Sequence, residues 1–134
     1  ARFTNYFTQY ATIIHPMANV AARAEIGSGC VILGQSSISA RAKIMDHAYI
    51  SHGSLVGHDT LIGECSSIMP GASISGDVKV GNRVMVGANA TIIEGIEIGA
   101  DAVIGAGAVV LRNVGRGEVV IGNPAAPMRR KAVA

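Results

Sequence analysis

The chain has 134 residues, of which 49% are hydrophobic but only 4% aromatic, with no tryptophan and with 17 glycines. This length suits one domain, and the composition requires a core of small and branched aliphatic side chains. Only 15% of the residues are charged and the net charge is +2, so the chain lacks the strong field that would indicate nucleic acid or a membrane surface as its main partner.

Signals for export, membrane insertion and disulfide bonding are absent from the sequence. The longest apolar stretch, residues 102–111, is about half of what a bilayer requires. No basic segment followed by an apolar one marks a signal peptide in the first residues. Cys30 and Cys65 belong to no CxxC motif, which argues against a disulfide framework or a zinc knuckle and fits a reducing cytoplasm.

Residues 1–13 form the first segment. They contain four of the chain's five aromatic residues, Phe3, Tyr6, Phe7 and Tyr10, and lie outside the repeat that follows. We expect this segment to cap the open end of the fold or to lead in from another segment. The chain does not begin with Met, which favours the lead-in, so we expect the natural protein to be longer.

A six-residue repeat begins at residue 14. Ile or Val stands at every sixth position from Ile26 to Val110, fifteen positions in succession, and the register extends upstream to Val20 and Ile14. A small residue usually stands four positions after each of them, and a glycine often follows directly. A period of six matches neither a helix nor a long strand, but it fits short strands joined by tight turns.

Three such units close a triangular coil of 18 residues, and stacked coils form three flat parallel sheets. The sequence therefore predicts an all-β fold, the parallel β-helix built of hexapeptide repeats, over residues 14–115. Prisms of this kind are known to be left-handed, although the period alone does not give the hand. Because the faces are flat and weakly charged, we expect a homotrimer.

Residues 116–134 leave the repeat and form a predicted C-terminal tail. Pro124 and Pro127 argue against a regular strand in this segment. Basic residues also cluster near the end of the chain, against the single acid Glu118. They are Arg112, Arg116, Arg129, Arg130 and Lys131.

The candidate active site follows from the stacking of coils. Positions 18 apart lie above one another, which places His58 over Gly76 with Glu94 beyond. A histidine supplies a general base, and a glycine leaves room for a ligand beside an accessible N–H, the two parts of an acyl-transfer site. The alternatives are that His58 is a turn residue bonded to a carbonyl, that Gly76 only serves the turn, and that Asp59 is a solvated acid rather than a group that orients the imidazole.

Three segments, Ile50–Gly63, Pro70–Val78 and Ile121–Ala125, carry a resemblance that extends over about residues 12–127. They are similar to the bacterial sugar O- and N-acetyltransferases, which include sialic acid O-acetyltransferases and nucleotide-activated amino-sugar N-acetyltransferases. The Gly-His-Asp segment and the Gly-Asn-Pro-Ala ending are more specific than the repeat itself. The resemblance implies acetyl-CoA as donor, a homotrimer, and active sites between neighbouring prisms.

The resemblance also implies roles for individual residues. His58 corresponds to the catalytic base, and Asp59 corresponds to the acid that raises its basicity. Gly76 corresponds to the residue whose amide faces the thioester oxygen. The positions that contact the coenzyme correspond to Ser67, Ala88 and Ala106.

The chain departs from the family at several points. Ser67 stands where some relatives have a histidine and Gly57 where some have a glutamate, which leaves the substrate open. Family members usually carry an N-terminal βαβ half that holds the nucleotide sugar, so we expect this chain to be the C-terminal β-helix portion. The family's coenzyme lies along the prism toward the C-terminal coils, so the basic tail either binds its phosphates or is only solvated.

The predicted function is transfer of an acetyl group from acetyl-CoA to an amine or hydroxyl of a nucleotide-linked sugar in bacterial glycan biosynthesis. One alternative, from a different class, is a non-catalytic trimeric β-helix scaffold. Another is a zinc enzyme like the carbonic anhydrases of the same fold, because His47 and His52 have a His-x4-His spacing. The third ligand would have to be His15, which is off register, so we expect no metal.

Overall fold

A computed structural model describes residues 10–128 of the chain, and every regular element among them is a short strand. In chain order the strands are β1 (Ile13–Ile14), β2 (Asn19–Val20), β3 (Glu25–Ile26), β4 (Val31–Ile32), β5 (Ser37–Ile38), β6 (Lys43–Ile44), β7 (Tyr49–Ile50), β8 (Leu55–Val56), β9 (Leu61–Ile62), β10 (Ser67–Ile68), β11 (Ser73–Ile74), β12 (Lys79–Val80), β13 (Met85–Val86), β14 (Thr91–Ile92), β15 (Glu97–Ile98), β16 (Val103–Ile104), β17 (Val109–Val110), β18 (Val119–Ile121) and β19 (Ala126–Pro127). No helix capable of crossing a membrane occurs within these residues.

The strands form three sheets, one for each face of a triangular prism. Face 1 has the order β1-β4-β7-β10-β13-β16-β18-β19, face 2 has β2-β5-β8-β11-β14-β17, and face 3 has β3-β6-β9-β12-β15. Except for β19, the strands pair in parallel with those of the adjoining coils, as in the series Ile32, Ile50 and Ile68. The 18-residue coil and the parallel β-helix predicted from the sequence are therefore confirmed.

The core runs along the axis of the prism. The second residue of each strand points inward, and from Ile32 to Val110 these Ile and Val side chains are almost fully buried. Small inward residues such as Ala42 and Ala72 alternate with them and are also buried. Burying one such Ile stabilises the fold by roughly 1.5–3 kcal/mol. Since every coil repeats this packing, the stability of the prism is spread along its length.

Four buried hydroxyls, of Ser36, Ser54, Thr60 and Ser66, replace inward alanines, and three of them donate hydrogen bonds to the next coil. Ser54 Oγ donates to the Met69 carbonyl at 3.0 Å, and Thr60 Oγ1 donates to the Ser75 carbonyl at 2.8 Å. Ser66 Oγ donates to a carbonyl of the next coil in the same way. These hydrogen bonds tie successive coils together at the corners, which explains why small polar residues fit this column of the repeat.

From Gly29 to Gly107 each corner is a tight turn whose second residue has a positive φ. Glycine occupies some of these positions, but nine are occupied by other residues, which cost energy in the left-handed region. They are Gln35, Arg41, His47, Asp59, Cys65, Asp77, Arg83, Asn89 and Asp101. The turn alone would favour glycine, asparagine or aspartate, so Arg41 and Arg83 have another reason to be there.

Glycine is required at a different position, directly after several strands. A Cβ built on Gly57 would overlap the backbone of Ser75 and Gly76 in the next coil, and one on Gly63 would overlap the backbone of Gly81. The coils approach too closely there for any side chain. This accounts for the Ile-Gly and Val-Gly pairs of the repeat.

The first coil is less buried than the others. Ile14 is 44% exposed and Val20 is half-buried, because no earlier coil covers them within residues 10–128. Tyr10 packs edge-on against the His47 ring at a centroid distance of 4.8 Å. Most of the predicted cap or lead-in, residues 1–9, lies outside the described residues.

The last coil differs from the expected pattern. Val103 pairs with Val119 and Ile98 with Val114, a separation of 16 residues, so this coil is two residues shorter than the others. The expectation that prolines keep strands out of this segment is wrong. β18 continues face 1, and β19 pairs with it antiparallel at the sheet edge, where Pro127 needs no N–H for a further strand. Arg129, Arg130 and Lys131 lie outside the described residues.

Candidate active site

His58 and Asp59 occupy the two turn positions between β8 and β9, where face 2 turns into face 3. We call this edge of the prism the His58 corner. The His58 side chain is 57% exposed, so a ligand can reach its ring. Asp59 has a φ of 58°, and its amide donates to the Ala40 carbonyl of the previous coil at 3.2 Å.

The His58 ring is hydrogen-bonded to the neighbouring carboxylate. Nδ1 of His58 lies 2.9 Å from Oδ2 of Asp59. The Arg41 guanidinium and, next, His58 hold the pKa of the Asp59 carboxyl well below its usual range, so this group is ionised. An ionised carboxylate only accepts hydrogen bonds, so Nδ1 donates. In the neutral ring this leaves the lone pair on Nε2, which is the atom that can accept a proton from a substrate.

Arg41 completes the group and was not among the site residues predicted from the sequence. Its Nε lies 2.6 Å from Oδ1 of Asp59 and its Nη2 lies 2.7 Å from Oδ2, a two-pronged ion pair. Arg41 precedes Asp59 by 18 residues, so it occupies the same corner one coil earlier. The stacking rule that placed His58 over Gly76 would have found Arg41 if applied toward the N-terminus.

Gly76 lies directly beneath the imidazole ring. A Cβ added to Gly76 would come within 2.5 Å of Cε1 and Nε2 of His58. The space that we expected to be open for a ligand is therefore filled by the ring, and Gly76 itself is buried. Among the described residues the Gly76 amide donates no hydrogen bond. Because Gly76 has no side chain, the ring of His58 can lie flat on this corner.

The predicted coenzyme positions lie elsewhere in the same chain. Ser67 is the outward residue of β10 on face 1, and Ala88 and Ala106 stack at the corner where face 1 turns into face 2. The width of face 2 separates that corner from His58. A single chain therefore does not bring these residues together with His58, Asp59 and Gly76.

The remaining histidines are also dispersed. His47 lies at the corner between faces 3 and 1, whereas His52 lies at the corner between faces 1 and 2. Nδ1 of His15 accepts a hydrogen bond from the Met17 amide. Within residues 10–128 no three His, Cys, Asp or Glu side chains are grouped so that they could hold a metal ion. The His-x4-His spacing thus spans a face of the prism instead of forming one site.

The three faces differ in charge. Outward strand residues of face 3 are mostly charged, and Lys79 and Glu97 form an ion pair there at 2.9 Å. The outward strand residues of faces 1 and 2 are apolar or small and polar. They are Ile13, Val31, Tyr49, Ser67, Met85 and Val103 on face 1, and Asn19, Ser37, Leu55, Ser73, Thr91 and Val109 on face 2. The His58 corner lies at the boundary between an uncharged and a charged face.

Two of the basic residues near the C-terminus are described by the structure. Arg112 is exposed and follows β17 at the His58 corner, three coils beyond His58. Arg116 pairs with Asp101 at 3.3 Å at a different corner. These two arginines therefore do not form one basic patch.

Comparison with known proteins agrees with this architecture. The family described as bacterial transferase hexapeptide (six repeats) matches residues 59–93 and 77–112. The chain carries the hexapeptide repeat that this family describes. Its prism is the left-handed β-helix of that repeat. No curated protein sequence matches the chain closely.

Solved structures, two of them of acetyltransferases, resemble this chain over nearly its whole length. A mutant of perosamine N-acetyltransferase from Caulobacter crescentus, solved with CoA and GDP-perosamine, has a TM-score of 0.94 and 32% identity, covering 96% of this chain and 61% of its own. The acetyltransferase domain of PglB from Neisseria gonorrhoeae has a TM-score of 0.92 and 30% identity, with coverage of 95% and 62%. WeeI from Acinetobacter baumannii has a TM-score of 0.91 and 26% identity, with coverage of 95% and 62%. The chain thus spans about three fifths of the length of these proteins.

Proposed function

We propose that the chain is an acetyltransferase that moves an acetyl group from acetyl-CoA to an amine or hydroxyl of a nucleotide-linked sugar. The observation that carries this proposal is the exposed imidazole of His58, held by Asp59 over Gly76 on a hexapeptide prism. Two lines of similarity support it. The Caulobacter crescentus enzyme was solved with CoA and GDP-perosamine, and the PglB domain was solved with acetyl coenzyme A.

His58 acts as the general base in the proposed reaction. Nε2 takes the proton of the acceptor amine or hydroxyl as its nitrogen or oxygen attacks the thioester carbonyl. The C–S bond then breaks, the coenzyme leaves as a thiolate, and this thiolate takes the proton back from His58. Asp59 stabilises the imidazolium that exists between these two transfers.

The Gly76 amide is the candidate donor to the oxyanion that forms at the thioester carbon. An N–H without an acceptor in the described part of the chain supports this role, because such donors stabilise developing negative charge. The ring of His58 covers Gly76 in the single chain, so the thioester would approach along the edge of the ring. The Gly76 amide would then face the carbonyl oxygen, while Nε2 of His58 would face the amine or hydroxyl that attacks the same carbonyl.

The active site forms between two chains of a homotrimer in this proposal. Faces 1 and 2 present uncharged strand residues, as expected of surfaces that pack against other chains. Packing of this kind would place the Ala88 and Ala106 corner of one chain against the His58 corner of its neighbour. The coenzyme would then lie between the two chains, contacting Ser67, Ala88 and Ala106.

We also assign the protein to the cytoplasm. Cys30 is buried and Cys65 is exposed, and both are free thiols. Unpaired cysteines are typical of a reducing compartment, which supports this assignment.

Coenzyme binding tests the proposal against the alternative of a non-catalytic scaffold. A ligand that binds only the folded state raises its stability in proportion to the logarithm of ligand concentration. We expect millimolar CoA to raise the melting temperature, and release of free thiol from acetyl-CoA when amino-sugar nucleotides are supplied. A melting temperature unaffected by CoA at this concentration would favour the scaffold.

A further inference from the structure

Arg41 is placed to control the geometry of the proposed catalytic base without touching it. Both prongs of its guanidinium engage the Asp59 carboxylate, at 2.6 and 2.7 Å. Oδ2 of Asp59 accepts from Arg41 Nη2 and from His58 Nδ1 at the same time. One carboxylate oxygen therefore connects the cation to the imidazole.

This connection matters because the Asp59 side chain is partly exposed and has few other restraints. A surface carboxylate with free rotation about its side-chain bonds would sample several rotamers. The planar guanidinium fork allows only the orientation in which both oxygens face it, and that orientation directs Oδ2 to Nδ1. Without Arg41 the carboxylate would spend part of its time turned away from His58.

The prism supplies a natural comparison for this ion pair. Arg83 and Asp101 are also 18 residues apart, occupy the same turn position with positive φ, and form a two-pronged pair at 2.6 and 3.1 Å. This pair lies at the corner between faces 3 and 1, where Ala100 takes the place that His58 has before Asp59. An arginine stacked on an aspartate is thus a feature of the scaffold, and at the His58 corner a histidine has been added to it.

We propose that Arg41 is a positioning residue that holds Asp59 in the rotamer required to keep the proton of neutral His58 on Nδ1. The catalytic consequence rests on the proposed function, but the effect on the imidazole does not. Because the lone pair of Nε2 exists only in this tautomer, Arg41 sets the fraction of enzyme that is ready to accept a proton.

The test compares Arg41→Gln with Arg83→Gln in the whole chain. Nitrogen-15 NMR of the histidine rings, under alkaline conditions where imidazole is neutral, distinguishes protonation at Nδ1 from protonation at Nε2. We expect Arg41→Gln to move His58 toward a mixture of tautomers and Arg83→Gln to leave it unchanged. Arg41→Lys should restore the wild-type tautomer of His58 only in part, because an ammonium group cannot form two parallel hydrogen bonds to the carboxylate.

Kinetics supply the second readout. Arg41→Gln should lower kcat by about tenfold with little change in the KM for acetyl-CoA, since the residue acts on proton transfer and not on coenzyme binding. The melting temperature should change as little as it does in Arg83→Gln, because exposed ion pairs contribute little to stability.

The outcomes separate this inference from the proposed function. A His58 spectrum in Arg41→Gln identical to that of the wild type would overturn the role of Arg41. Equal losses of kcat in the Arg41 and Arg83 variants would also overturn it, since the pair would then serve only the scaffold. A shifted His58 tautomer in a chain that transfers no acetyl group under any condition would uphold the role of Arg41 and refute the proposed function.

Discussion

At the scale of single residues, the site depends on the absence of a side chain at Gly76. The imidazole of His58 occupies the volume that a Cβ at this position would need. Gly76 has no positive φ, so alanine would be tolerated by the backbone and would act only through this contact. The consequence of the substitution is therefore local.

Gly76→Ala should lower acetyl transfer by about tenfold or more, because the methyl group pushes the ring off Asp59 and misplaces Nε2. The melting temperature should fall only slightly. Gly115→Ala is the matched control, since its Cβ would meet Glu118 Oε2 at an ordinary 3.4 Å. Steady-state rates and thermal melts of both variants measure the effect. Full activity in Gly76→Ala would mean that the observed ring position is not the active one.

The pH dependence of stability offers a second test at this scale. Arg41 and His58 depress the pKa of Asp59 in the folded state, so its contribution to stability is present above the ordinary aspartate pKa of about 3.9 and is lost as the pH falls below it. Because the ion pair is exposed, this contribution is small, and Asp59→Asn should slightly reduce the fall in melting temperature between neutral pH and about pH 3. Asp77→Asn, one coil later and without an ion pair among the described residues, should not. Identical pH profiles for wild type and Asp59→Asn would contradict the ion pair.

Much of the site was predictable from spacing alone. The 18-residue coil placed His58 over Gly76 and Asp59 beside it, because stacking fixes which positions are neighbours. Arg41 was missed because the column was followed only toward the C-terminus. The ring that fills the space over Gly76 could not be predicted, since the rotamer of an exposed histidine depends on contacts that a sequence does not display.

At the scale of elements, the inward side chains of the two-residue strands determine stability. Ile74 of β11 is fully buried between Val56 and Ile92 of the adjoining coils. Replacing such a side chain removes packing in its own coil and in both neighbours. The strands are too short to be stable without this stacking.

Ile74→Ala should destabilise the fold by about 2–5 kcal/mol, and Ile74→Val by about 0.5–1.5 kcal/mol. Leu61→Ala serves as the control, because Leu61 points outward on face 3 and is 36% exposed. Chemical denaturation followed by circular dichroism measures all three. An equal effect of Ile74→Ala and Leu61→Ala would contradict the assigned register.

The last coil shows where prediction from the repeat ends. After Val110 the six-residue register breaks, and Val114 and Val120 return to the core with a coil of 16 residues. The prolines suggested a segment without strands, but Pro127 lies in an edge strand whose outer side needs no hydrogen bond. The break in the six-residue register marked the end of the repeat in the sequence. Beyond it, β18 forms because it pairs with β16, which the sequence pattern did not predict.

At the scale of the whole molecule, the proposed site needs two chains. His58 and the corner of Ala88 and Ala106 are separated by face 2 in one chain, and the uncharged faces would bring them together in a trimer. A site shared between chains can be rebuilt from two different defective chains, whereas a site within one chain cannot. Two inactive variants can complement each other when they assemble together.

His58→Asn and Ala88→Trp should each abolish most activity, the second by blocking the coenzyme. Trimers assembled from equal amounts of the two should regain about one quarter of wild-type activity, because a quarter of the sites would combine an intact His58 corner with an intact Ala88 corner. Refolding the mixed chains and measuring thiol release tests this. No recovery in trimers shown by mass to be mixed would place the whole site within one chain.

The most direct test of the account is the rate of acetyl transfer by His58→Asn. Asparagine keeps a similar size at an exposed turn position but cannot accept the proton, so kcat should fall by about two to four orders of magnitude while the melting temperature stays near that of the wild type. His47→Asn, at another corner, should retain wild-type activity. Turnover by His58→Asn within a few fold of the wild type would contradict the assignment of His58 as the base and, with it, the proposed active site.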